Sequence, residues 1–133
     1  MSGRRLPLPA GTVRRVVAAV LEGEGRRARI SVTFLGRDAM RRLNARYKDH
    51  DEPTDVLTFA LRDPEGRPLG DVYVCPWVAR REARRHGVAV REEVIRLLVH
   101  GTLHALGRDH PEGPGRTRSA MWRRQERYVE ALA

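Results

Sequence analysis

Val13, Val16, Val17 and Val20 recur at helical spacing and predict a first helix over residues 11–21, closed by Gly23 and Gly25. Ile30, Val32 and Phe34 then alternate with Arg29, Ser31 and Thr33, the period of a half-buried strand. Met40, Leu43 and Tyr47 return to helical spacing and predict a helix over 38–47. Residues 48–54 are polar and contain Pro53, so they read as a loop, and 56–61 reads as a strand. Asp63-Pro64-Glu65-Gly66 is a turn signal, and 70–75 reads as a further strand antiparallel to the last. Pro76 suits the first turn of a helix and Gly87 its C-terminal cap. The longest apolar-rich helix follows over 90–106, with Glu92 and Glu93 against its N-terminal dipole and Gly107 as its stop. A loop over 108–115 holds Pro111, Gly113, Pro114 and Gly115, and a final helix is expected over 116–131.

The resulting order, αβαββααα, predicts an α+β fold: a small mixed β-sheet covered by helices, forming one domain over residues 1–133. Composition narrows the class. At 41% hydrophobic residues the chain is too apolar for disorder, and no apolar run approaches the roughly 18 residues that span a bilayer. Arg4 and Arg5 precede no apolar block, so no secretory signal is expected. The single cysteine, Cys75, has no disulfide partner within the chain. Together these predict a cytoplasmic protein without membrane attachment. The net charge of +9 favours polyanionic partners through counterion release. Every basic residue except Lys48 is arginine, a bias that genome composition or a hot habitat also produces.

The chemistry concentrates in His100-Gly-Thr-Leu-His104-Ala-Leu-Gly107-Arg-Asp-His110. Four-residue spacing on a helix stacks His100 and His104 on one face. Gly107 ends the helix and lets the chain turn back, so His110 can approach the same point at the end of this central helix. Three neutral imidazoles with an open fourth position form the catalytic type of zinc site, one ion per chain. The alternative is three ordinary histidines. Against it, three of the five histidines fall within eleven residues, and two sit in the most apolar helix, where an unpaired imidazole is costly. Gly101 also stands mid-helix, at about 1 kcal/mol relative to alanine, which is easier to understand if something passes close to the backbone. The spacing matches H-E-x-x-H-x-x-G-x-x-H of the metzincin proteases. Here the general-base glutamate is replaced by Gly101, so peptide hydrolysis by the usual route lacks its base.

The chain resembles the YbeY family, whose histidine motif runs H-G-x-L-H-x-x-G-Y-D-H. His100, Gly101, Leu103, His104, Gly107, Asp109 and His110 match it. A second family block matches Leu43, Asn44, Tyr47, Asp51, Pro53, Thr54, Asp55, Val56, Leu57 and Phe59. Gly70, Asp71, Met121, Gln125 and Glu126 match further family positions in the same order. The resemblance implies a zinc-dependent, single-strand-specific endoribonuclease acting in small-subunit ribosomal RNA maturation and ribosome quality control. Its implied partners are ribosomal RNA and the ribosome or its assembly factors.

Three departures from the family pattern stand out. The arginine of the second block, which the family places beside the zinc, falls on Lys48. Lysine keeps the charge and loses the two-pronged grip on phosphate. Arg46, two residues earlier, is the other candidate, although on a helix it points elsewhere. Arg108 replaces the motif's tyrosine and is a candidate to share the phosphate-binding role. Thr58 and Ala60 replace serine and proline around Phe59, with little chemical consequence expected. In this expectation Lys48 stabilises charge on the phosphate. Asp109 or Asp55 orients a ligand imidazole, with a helix or turn cap as the alternative, favoured for Asp55. Arg80, Arg81, Arg84 and Arg85, with Arg123, Arg124 and Arg127, are candidate RNA contacts, or else solvated helix faces. Aromatic residues are only 5%, so contact with the RNA backbone is expected rather than broad base stacking. Two other functions stay open: a non-catalytic RNA-binding assembly factor with a structural zinc, and a metallohydrolase of another substrate.

Overall fold

The computed structural model describes residues 7–108 and 119–133. Its elements are α1 (Ala10–Gly23), β1 (Arg29–Phe34), α2 (Arg37–Lys48), β2 (Val56–Arg62), β3 (Pro68–Val74), α3 (Pro76–His86), α4 (Val90–Ala105) and α5 (Ala120–Leu132). The αβαββααα order read from periodicity is the order observed. Boundaries shift by one to a few residues. Lys48, expected in the loop, closes α2, and Cys75, expected in the strand, lies past β3 and precedes α3. The expected start of the last helix, 116–118, lies outside the described residues. Ser119 caps the described part, its hydroxyl accepting from the Trp122 N–H at 3.0 Å.

The sheet is small and mixed, with strand order β1-β3-β2. β2 and β3 form an antiparallel hairpin, Val56 opposite Val74 and Arg62 opposite Pro68. The carboxylate of Asp63 builds its turn by accepting from the N–H groups of Glu65 (2.9 Å) and Arg67 (2.8 Å). Gly66 completes the turn at φ 82°, a value that suits glycine. β1 joins the other side of β3 in parallel, Arg29 opposite Leu69. β3 is therefore the central strand.

Alternation then sorts the strand side chains between two helical layers. Ile30, Val32, Phe34, Val56, Val72 and Val74 join the main core with Val16 and Val20 of α1, Ile95 and Leu98 of α4, and Met121 and Val129 of α5. Leu57, Phe59 and Tyr73, on the opposite face, pack with Met40 and Leu43 of α2 and Val78 of α3. Each fully buried aliphatic side chain in these clusters contributes about 1.5–3 kcal/mol relative to exposure. Among the described residues no helix is long and apolar enough to cross a membrane.

α4 lies close to the sheet because two glycines permit it. A Cβ on Gly101 would stand 2.6 Å from Val72 Cγ1 and 3.1 Å from Thr58 Oγ1. A Cβ on Gly70 would stand 2.6 Å from the Cβ of Ala105. Something does pass close to the backbone at Gly101, as its mid-helix position implied, and it is the sheet.

Candidate metal centre and its surroundings

α4 is buried over most of its circumference, from Val94 through Ala105. His100 and His104 occupy the half-buried stripe that remains. Their ring centroids are 6.2 Å apart with planes tilted by 42°, so the two imidazoles stand together on one face. Past them the helix ends as Gly107 adopts φ 90°. The Gly107 N–H reaches the His104 carbonyl (2.9 Å) and the Arg108 N–H reaches the Leu103 carbonyl (3.0 Å). This paired closure satisfies the last carbonyls and turns the chain out of the helix axis. The third expected ligand, His110, and the neighbouring Asp109 lie outside the described residues. Among the described residues no three His, Cys, Asp or Glu side chains gather as a metal cluster.

The chemistry of the described pair fits a metal. His100 Nδ1 is 3.0 Å from Gln125 Oε1, and an amide oxygen can only accept. In the neutral ring such a contact puts the proton on Nδ1 and leaves Nε2 with the lone pair that a metal requires. Gln125 is 1% exposed, so this contact is sheltered from water. Its amide nitrogen donates to Glu126 Oε2 at 3.1 Å. Glu126 in turn takes a two-pronged grip from Arg96, Nε to Oε2 and Nη2 to Oε1, both at 2.9 Å. Arg96 also reaches Glu93 (3.1 Å) and Glu92 (3.2 Å) on its own helix. Burial pushes the Glu126 carboxyl up, but the hydrogen bonds from Arg96 and Gln125 outweigh it and hold the group below the usual carboxylate range. For Glu93 burial wins over the pull of Arg96, and its carboxyl is raised.

Other expected site residues are placed as follows. Lys48 is exposed at the end of α2, with Nζ 5.9 Å from the centre of the Phe59 ring. Phe59 follows Thr58 on the edge strand β2, and Thr58 lies against Gly101 on the other face. Lys48 and the histidine helix thus flank one strand edge from opposite sides. The loop after Lys48 is anchored by Asn44, which is 4% exposed and donates to the Glu52 carbonyl at 2.8 Å. Arg46 sits over the Tyr47 ring at 5.3 Å and is exposed. Asp55 accepts from the Val56 N–H at 2.8 Å, at the start of β2.

Arg80, Arg81 and Arg84 are exposed on α3, and Arg81 lies 5.1 Å over the Trp77 ring. Arg108 instead pairs with Glu24, whose side chain is 1% exposed. Arg124 (3.1 Å) and the Tyr128 hydroxyl (2.7 Å) converge on the same carboxylate. A buried carboxylate needs such partners, so Arg108 ties α1 to the end of α4, beside whatever else it does.

Comparisons with known proteins identify the family. The sequence model of one family, described as endoribonuclease YbeY, matches residues 9–133. The chain belongs to the YbeY endoribonuclease family. Similar relatives bear the name Endoribonuclease YbeY. One, from Thermotoga petrophila, is 34% identical over 103 residues, 77% of this chain and 67% of the relative. Another, from Halorhodospira halophila, is 38% identical over 119 residues, 85% of this chain and 76% of the relative. The solution structure of TM1509 from Thermotoga maritima superposes with a TM-score of 0.67 at 28% identity, covering 92% of this chain and 79% of that one. Family members under that name are hydrolases that cut RNA phosphodiester bonds. The YbeY motifs drew attention to Gln125 and Glu126, but sequence reasoning assigned them no task and passed over Arg96. The only sequence sign of Arg96's place was its spacing of four and three residues from Glu92 and Glu93.

Proposed function

We propose that this protein is a zinc-dependent, single-strand-specific endoribonuclease that acts in the cytoplasm on small-subunit ribosomal RNA during maturation and quality control. The observation that carries the reading is the pairing of His100 and His104 on one face of α4, with His100 Nδ1 committed to Gln125. His100, His104 and His110 would hold the ion. A zinc held there would supply Lewis acidity toward a phosphoryl oxygen or water.

The chain's own groups do the rest. Lys48, exposed beside Phe59 at the rim of the same strand edge, supplies a cation for charge building on the phosphate. Its ammonium acts as a point charge, without the planar fork of arginine. The exposed arginines of α3 add a field that draws in the RNA backbone. Gly101, where a protease of matching spacing carries glutamate, offers no side-chain base for peptide hydrolysis.

The test is cleavage of a labelled single-stranded RNA and of its duplex by the purified protein, before and after chelation and with zinc restored. Cleavage confined to the single strand, lost on chelation and regained with zinc, supports the reading. Metal bound with no cleavage of either RNA would favour an assembly factor in which zinc stiffens the fold.

A further inference from the structure

The contact between His100 and Gln125 has a direction, and that direction is set from outside the pair. A glutamine amide can face either way, and its orientation is fixed by whatever it meets at both ends. Here one end meets Glu126, which is gripped through both oxygens by Arg96. An ionised carboxylate only accepts, so the nitrogen of Gln125 must turn to Glu126, as it does at 3.1 Å. The oxygen is then forced toward His100 and can only accept from it. Gln125 is 1% exposed, so water does not compete for either end. Reversing the amide would set its oxygen against the Glu126 carboxylate, a clash that no change of tautomer at His100 could relieve. Arg96 is itself braced by Glu93 at 3.1 Å and Glu92 at 3.2 Å, which fixes the far end of the chain on α4.

We propose that Arg96, Glu126 and Gln125 form a tautomer lock on His100, in which Gln125 is a positioning residue that keeps the proton on Nδ1 and presents Nε2 to the metal. The lock joins α5 to α4. It explains why a glutamine, with one donor end and one acceptor end, stands in an apolar seam between Met121 and Val129. A leucine there would pack as well and direct nothing. The connection to metal binding rests on the reading of His100 as a ligand, whereas the proton's position on the ring does not.

The test therefore has two arms. In the metal-free protein, at a pH where the imidazole is neutral, nitrogen-15 shifts and ring couplings of His100 report which nitrogen carries the proton. The wild type should show Nδ1–H as the dominant form, and Nε2–H as the major form would overturn the proposal without any variant. Gln125→Met keeps the volume and removes the acceptor, so it should give a mixture of tautomers. Gln125→Glu, with the carboxyl protonated on the oxygen that faces Glu126, keeps an acceptor opposite Nδ1 and should return the ring to Nδ1–H.

In the second arm, zinc affinity is measured by competition with a chelating dye. Loss of such an outer partner should weaken binding by about 10–100-fold in Gln125→Met. Most of that loss should be recovered in Gln125→Glu. A folded Gln125→Met protein with the wild-type tautomer and unchanged zinc affinity would sink the lock while leaving the metal reading intact. A wild type with the Nδ1–H form and no zinc binding would do the reverse, upholding the lock and removing the metal reading.

Discussion

Gly101→Ala separates two explanations for the glycine in the histidine motif. If the residue is small because the sheet lies against it, alanine should harm packing and stability whether or not metal is present. The added Cβ would stand 2.6 Å from Val72 Cγ1, 3.1 Å from Thr58 Oγ1 and 3.2 Å from Val72 Cγ2. Val72 cannot swing aside: it is β-branched, 1% exposed and on the central strand. Overpacking of this kind costs about 1–3 kcal/mol. Alanine returns about 1 kcal/mol of helix propensity. The net expectation is a loss of roughly 1 kcal/mol and at most about 2. For a chain of this length each kcal/mol corresponds to roughly 3–4 °C in Tm. Thermal unfolding of the metal-free protein, followed by circular dichroism, reads this directly. The decisive comparison is Gly101→Ala in a Val72→Ala background, where the two closest methyl contacts are gone. There the substitution should become neutral or stabilising, a coupling of about 0.5–3 kcal/mol. A raised Tm for Gly101→Ala alone, or equal effects in both backgrounds, would refute the packing account.

Lys48→Ala should lower RNA cleavage by about 10²–10³-fold while zinc content stays at the wild-type level, and Lys48→Arg should recover it; unchanged cleavage in the alanine variant removes Lys48 from the chemistry. RNA affinity should fall steeply with added salt, and Arg80→Ala, Arg81→Ala and Arg84→Ala together should flatten the slope of log affinity against log salt; a flat wild-type response refutes RNA docking through this face. Burial pushes the Glu24 carboxyl up, but hydrogen bonds from Tyr128, Arg108 and Arg124 outweigh it and hold it low. Its stabilising contribution is therefore present above the ordinary carboxylate pKa and lost as pH falls through the lowered folded value, so Glu24→Gln should flatten the acid limb of a stability-versus-pH curve. Burial beside Glu24 pushes the Tyr128 phenol up to about 12, and its stabilising share should fade as pH rises from about 10 toward that value in an ultraviolet titration paired with urea unfolding.

Much of the fold could be read from the chain because each element buries one face and so carries a period. Val13, Val16, Val17 and Val20 marked α1, and the alternation of Ile30, Val32 and Phe34 marked β1. Asp63 to Gly66 signalled the hairpin because the turn draws on local chemistry. Pairing partners between distant strands carry no such local signal. The parallel match of β1 to β3, rather than to β2, joins strands that lie far apart in the chain, as Arg29 opposite Leu69 shows. The histidine spacing was visible because i and i+4 neighbours share a helix face. The lock on His100 was not, since Gln125 lies 25 residues away and Arg96 meets Glu126 across 30. Arg108 read as a candidate phosphate contact because its partner, Glu24, is 84 residues away.

The most direct test of the central claim is the metal content of the purified protein by mass spectrometry, alongside cleavage of single-stranded RNA, for the wild type and His104→Ala. The account predicts about one zinc per chain with cleavage in the wild type, and loss of both in a variant that keeps its helical circular dichroism. A wild type that cleaves RNA without bound metal, or a His104→Ala variant that cleaves as well as wild type, would contradict it.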